Sequence, residues 1–178
     1  NFVEHIFEIL EIKASYSIDI EQDFPIAIGI GSSASIYGAL TTSIVNCIGK
    51  KLPPNEISAL ARIGSHSAAA SIVGNVSIIR EGNFAEVLCQ RKNFPFNILI
   101  LPVEGEKRSE EIHEDMPQSP FYPVWIECAK KTSHQIVSLL SEEKFDDIGP
   151  ITEKYMYYNF ATICTGPRNI LSWNAGTL

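Results

Sequence analysis

No apolar run in this chain approaches the roughly 18 to 20 residues that a membrane-spanning helix needs, and no signal peptide is visible. Positive charge is scarce. Fourteen Lys and Arg face 21 Asp and Glu, and the net charge of −7 excludes nonspecific attraction to nucleic acid. Cysteine is sparse and scattered: Cys47, Cys89, Cys128 and Cys164 form no Cys-x-x-Cys pair, so a zinc knuckle is ruled out and free core thiols are expected. His5, His113 and His134 have no partner at i+4, which argues against a histidine metal site. There is no internal repeat and no low-complexity tract.

What the chain does have is a segment from Pro25 to Ala39 in which a short apolar run ends in Gly29 and Gly31, then Ser32, Ser33, Ala34 and Ser35. Glycines let backbone approach a ligand, and serines add hydroxyls beside the unpaired N–H groups of a helix's first turn. Together with the positive end of the helix dipole, that pattern suits an anion, most readily a phosphate. An acidic protein can still hold one, because local geometry and not total charge decides. Neither common nucleotide loop is present. No lysine follows the glycines, and Ala34 stands where a dinucleotide fingerprint has its third glycine.

Hydrophobic periodicity predicts a helix over 1–12, a strand over 14–22, a helix from Ser33 to Ile48, and a helix capped by Asn55 that runs to Ile63. Gly64-Ser65-His66-Ser67-Ala68 opens another helix. Strands are expected over 74–81 and 84–90 with a Gly82-Asn83 turn, and 96–103 reads as the clearest buried strand. Two long helices follow, 121–144 and 146–164, with Asp146 and Asp147 as an N-cap pair. Trp125, Tyr155, Tyr157, Tyr158 and Phe160 pack between them. Asp115 falls in an acidic stretch expected to face solvent. The order gives an α+β protein, with a second domain beginning near residue 104.

The turn at Gly64-Ser65-His66-Ser67 is thus a second glycine-serine helix start, about 30 residues after the first. Two anions must be brought together against their repulsion in a phosphoryl transfer, and two such turns could do that. Arg62, just before the second turn, reads as a structural ion pair.

Pro25-x-x-x-Gly29-Ile30-Gly31-Ser32-Ser33-Ala34 resembles the phosphate loop of the GHMP kinase superfamily. Leu60-Ala61-Arg62-Ile63-Gly64-Ser65-His66-Ser67-Ala68-Ala69-Ala70-Ser71 resembles the Ala-Arg-x-Gly-Ser-Gly-Ser-Ala-Cys-Arg-Ser segment of its mevalonate diphosphate decarboxylase branch. Ser109 to Met116 with Ser119-Pro120-Phe121, then Asn159-Phe160-Ala161-Thr162, then Leu171-Ser172-Trp173-Asn174, echo later segments of that branch in the same order.

The resemblance implies a two-domain GHMP-kinase-like α+β fold. Residues 1–103 would be a partial ribosomal protein S5 domain 2-like part, and 104–178 the helical start of a ferredoxin-like part, incomplete at both ends. It implies an ATP-dependent enzyme of isoprenoid biosynthesis, cytoplasmic and homodimeric. Such an enzyme phosphorylates the tertiary 3-hydroxyl of mevalonate 5-diphosphate, then releases phosphate and carbon dioxide to give isopentenyl diphosphate. Gly29, Gly31, Ser32, Ser33, Ala34 and Ser35 would line ATP, with Ser33 at Mg2+. Ser65, His66, Ser67 and Ser109 would contact the phosphorylated substrate. The family's catalytic aspartate would lie beyond Leu178 and its lysine-bearing strand before Asn1, so residues 1–178 alone are expected to be inactive.

The family's arginine falls on Ala70 and a glycine between its serines on His66. An arginine-to-phosphate contact contributes about 1.5–3 kcal/mol. Its absence points to a substrate with a single phosphate, or to another base such as His66 in its place. Two alternatives stand beside the decarboxylase: a small-molecule kinase of the same superfamily, and a noncatalytic protein that keeps the fold.

Overall fold

The computed structural model describes residues 1–24, 30–80, 83–90, 92, 95–100 and 109–171, with the backbone alone for 109 and 110. The chain is α+β and divides into two compact units, Asn1–Phe94 and Pro95–Leu178.

The first unit is built on four helices. Helix α1 (Phe2–Ile9) is capped by the Asn1 side chain, which accepts the Val3 N–H at 3.1 Å. Val3, Ile6 and Leu10 recur at helical spacing and face the core, joined there by Ile44, Val45 and Leu60. Helix α2 (Ser32–Cys47) is rich in small residues and packs against α3 (Pro54–Gly64) and α4 (Ala68–Val73). A second core of Ala34, Ala61 and Ala68 sits at that junction, with Tyr37 and Ile72 against it. Small side chains let backbones approach. A Cβ on Gly38 would stand 3.0 Å from the Ser71 Cβ, so α2 and α4 meet there without room for a methyl group.

Strands β1 (Val76–Ile79) and β2 (Ala85–Cys89) form an antiparallel pair with Ile79 opposite Ala85 and a register shift between Val76 and Ser77. Asn83 turns the chain between them at φ 67°, and Arg80 pairs with Glu86 across the strands at 2.7 Å. Buried Ser58 ties the layers together: its Oγ donates to the Ala69 carbonyl at 2.9 Å and accepts the Ala85 N–H at 2.8 Å.

Two predicted strands are not found. Residues 14–22 carry the alternation but no regular structure, with Tyr16, Ile18 and Ile20 partly open to solvent. In 96–103, the described residues 96–100 are likewise irregular, and Ile98 and Leu99 are 79% and 81% exposed; 101–103 lie outside the described residues. A strand needs a neighbour to receive its hydrogen bonds, and neither segment has one among the described residues. Asn55 is not a cap either. Pro53 holds the N-cap position of α3 and Pro54 its first turn, where the missing N–H costs nothing.

The second unit holds α5 (Ser109–Asp115), a 3₁₀ turn (Met116–Gln118), α6 (Tyr122–Ser141), a second 3₁₀ turn (Phe145–Asp147) and α7 (Ile148–Cys164). Helices α6 and α7 pack as a hairpin with Thr132, Leu140, Thr162 and Ile163 buried. Asp147 takes the N-cap position of α7 without a side-chain bond, and Asp146 sits in the 3₁₀ turn, so the expected capping pair does not form. Tyr157 points to solvent instead of into the hairpin. The four cysteines are free, but Cys47 is exposed and the others half-buried, so none is a core thiol. No described helix is long and apolar enough to cross a membrane.

Candidate functional site

Helix α2 starts at a glycine because the backbone there is left-handed: Gly31 occupies the N-cap at φ 82°, ψ 31°, a conformation that L side chains rarely adopt. Ser32 and Ala34 then turn inward and are buried, while Ser33 and Ser35 turn outward and are exposed. Gly29 lies outside the described residues. Because Gly31 caps α2 with no side chain, the Ser33 and Ser35 hydroxyls are not consumed as caps.

The second start is built differently. Helix α3 ends at Ser65, whose backbone is extended, and Ser67 holds the N-cap position of α4 without a side-chain bond. His66 and Ser67 are exposed and Ser65 is half-buried. Gly64 is pinned from the other side by the Tyr37 ring of α2. Packing of α2 on α3 therefore brings the two turns together: Ser33 Oγ and Ser65 Oγ, 32 residues apart in sequence, are 3.4 Å apart in space.

Ser109 is the first residue of α5, in the second unit. Arg62 is half-buried at the end of α3 and has no ion pair among the described residues. No group of three or more His, Cys, Asp or Glu among the described residues could hold a metal ion.

Sequence reasoning missed a groove and a clamp. The groove, about 420 Å³, lies in the first unit between α1, α2 and residues 16–24, and Ser35 opens onto it. Its walls are mostly apolar, with Phe7, Tyr16, Ile18 and Leu40 among them and Asp19 and Glu21 at its edge. Alternation in Tyr16-Ser17-Ile18-Asp19-Ile20 was its only signal, and that pattern was spent on a strand. The clamp corrects the reading of Asp115 as solvated. Asp115 is 2% exposed and accepts the Arg168 N–H at 2.7 Å, with the guanidinium 3.2 Å from its other oxygen. Nothing local in the sequence links residues 53 positions apart.

Comparison with known proteins finds solved α+β structures and sequence relatives that share this arrangement. A solved structure described as MDDEF in complex with MVAPP, AMPPCP and magnesium superposes with a TM-score of 0.70 at 25% identity, covering 86% of this chain and 50% of the other. A structure of the mevalonate diphosphate decarboxylase from Enterococcus faecalis, concerned with ATP binding mediated by mevalonate diphosphate, gives 0.69 at 25% identity over 86% of this chain and 49% of that one. In sequence, the phosphomevalonate decarboxylase of Haloferax volcanii is 24% identical over 99% of this chain and 56% of its own length. The diphosphomevalonate decarboxylase mvd1 of Aspergillus fumigatus is 32% identical over 54% of this chain and 26% of its own. The chain thus spans about half the length of the Haloferax protein and of the two solved chains. Residues 1–89, half of the chain, match the model of the diphosphomevalonate decarboxylase-like N-terminal domain, and the chain belongs to that family.

Proposed function

We propose that this protein serves an ATP-dependent decarboxylation of a phosphorylated mevalonate in the cytoplasm, as part of a homodimeric two-domain GHMP-type enzyme. The observation that carries the reading is the 3.4 Å approach of Ser33 and Ser65 from separate helix starts. Gly31 and Ser33 would cradle the terminal phosphates of ATP, with Gly29, Ser32 and Ala34 supplying backbone N–H groups. Ser65, His66 and Ser67 would hold the substrate phosphate, and Ser109 is the remaining candidate contact to the substrate. The apolar groove beside Ser35 is of a size and character to take the base of the nucleotide.

The chemistry follows from leaving-group ability. A tertiary hydroxyl departs poorly. Once its oxygen has taken the γ-phosphoryl group and ADP has left, C3 carries phosphate, a good leaving group. The C–C bond to the carboxylate then breaks, its electrons form the new double bond, and carbon dioxide and phosphate are released. What these residues contribute is position: two anions are fixed side by side by backbone dipoles and hydroxyls that need not reorganise. Mg2+, when bound with ATP, offsets phosphate charge, and the Ser33 hydroxyl is a hard oxygen of the kind it takes.

The half-buried Ala70, where the family has arginine, favours a substrate with one phosphate. So does the match to a phosphomevalonate decarboxylase along nearly the whole chain. The test is an assay of the full-length gene product with ATP and either mevalonate 5-phosphate or its 5-diphosphate. ADP and carbon dioxide should appear together, faster with the monophosphate. Phosphorylated product that keeps its carboxylate would establish the kinase alternative, and no turnover with any mevalonate derivative would leave the noncatalytic one.

A further inference from the structure

Arg168, just past the end of α7, gathers acceptors from a single short helix. Its Nη1 donates to the Glu111 carbonyl at 2.9 Å and its Nη2 to the Glu114 carboxylate at 2.8 Å. The same guanidinium stands 3.2 Å from Asp115 Oδ1, and the Arg168 backbone N–H reaches Asp115 Oδ2 at 2.7 Å. Three of the seven residues of α5 are therefore tied to one side chain and its own amide. The turn leading into Arg168 is fitted to the carboxylate as well. A Cβ at buried Gly166 would stand 3.0 Å from Asp115 Oδ2 and 3.1 Å from its Cβ. Ser119, after the 3₁₀ turn that follows α5, meets Thr165 at 2.7 Å and fixes the same junction from a second point. The Glu114 carboxylate first, then the charges of Asp115 and Glu111, hold the guanidinium firmly in its charged form.

A helix this short does not hold itself in water; it persists where something outside it fixes it. We infer that Arg168 is a positioning residue: it fixes α5, and with it Ser109, against the end of α7. The inference rests on the decarboxylase reading only for what Ser109 touches. Leverage makes the clamp matter. A helix of this length is about 10 Å long, so a tilt of roughly 10° at Asp115 carries Ser109 by about 2 Å. A misplacement of about 1 Å can already lower a rate about a hundredfold. Arginine is needed because a lysine ammonium cannot present a planar fork to several acceptors at once.

The test uses the full-length protein and two independent readouts, hydrogen exchange of the α5 amides and steady-state kinetics. In Arg168→Gln, α5 amides should exchange about tenfold faster or more, with the amides of α6 and α7 unchanged. The KM for the phosphorylated mevalonate should rise about tenfold while that for ATP stays within about twofold. Arg168→Lys should fall between the two in both readouts. Unchanged α5 exchange in Arg168→Gln overturns the clamp, and faster exchange with unchanged kinetics overturns its positioning role. If Arg168→Gln fails to fold, Glu114→Ala removes one exposed bond of the set, and a smaller rise confined to α5 is expected; no rise overturns the inference. Should the protein turn over no mevalonate derivative while α5 exchange still responds, the decarboxylase reading falls and the anchoring of α5 stands.

Discussion

The Tyr37 ring fills the space into which any side chain at Gly64 would project. This contact between α2 and α3 lies next to Ser65 and sets how closely the two helix starts approach. Gly64→Ala should therefore displace the ring or the helix, and overpacking of this kind costs about 1–3 kcal/mol. A lowered thermal midpoint for the first unit is expected, together with weaker ATP binding. A variant that melts with the wild type would show that the ring gives way freely.

Ser58 is fully buried and serves two backbone partners. In Ser58→Ala the Ala69 carbonyl and the Ala85 N–H each lose that partner, at about 1–3 kcal/mol apiece. Loss of roughly 2–6 kcal/mol in denaturant unfolding is expected. Stability within 0.5 kcal/mol of wild type would refute the staple, that margin being about what an ordinary surface substitution gives.

Ser33 and Ser65 should be coupled in function as they are in space. Each alanine variant of the full-length protein is expected to lower kcat/KM about tenfold or more, as loss of a hydroxyl contact to a charged group does. The double variant should lose less than the product of the two single effects, since the hydroxyls share one site. Independent, multiplicative losses would mean that they serve separate sites.

Tyr155, on α7, is half-buried, and burial is the main cause that pushes its phenol above the ordinary value of 10.0. The indole N–H of Trp125 lies near enough to oppose that in part, although it has no acceptor in hydrogen-bond geometry. A raised folded-state pKa means that the stabilisation is present below pH 10.0 and is lost as pH rises through the folded value. Thermal midpoints of the second unit should thus hold steady to about pH 10 and fall above it. One tyrosine should ionise later than the others in phenolate absorbance, and Tyr155→Phe should abolish that late step.

How much of this was legible beforehand depended on how local each signal was. Helices α2, α6 and α7 fall within a few residues of their predicted spans, because apolar spacing and Gly or Pro punctuation act over neighbouring positions. The β1–β2 pair was equally readable, from the Gly82-Asn83 dipeptide and the flanking β-branched residues. The two serine turns could be named from composition, but their approach depends on Ala34, Tyr37, Ala61 and Ala68 packing across three helices. Pro53 displaced Asn55 as a cap, since a proline already holds the entry conformation. Asp115 read as solvated because its neighbours Glu111 and Glu114 are charged, whereas its partner lies 53 residues away. The alternation in 14–22 and the apolar run in 96–100 predicted strands with buried side chains, but both segments are irregular and largely exposed, because apolar content says nothing of a hydrogen-bonding neighbour.

Those unpartnered stretches bear on how the polypeptide behaves in the test tube. Ile98, Leu99 and Ile100 stand bare in an irregular stretch, with no charge and no proline between Pro95 and Pro102. Segments of that composition stack readily between molecules. Preparations of residues 1–178 should cloud as concentration rises, and a single lysine in place of Leu99 should delay it.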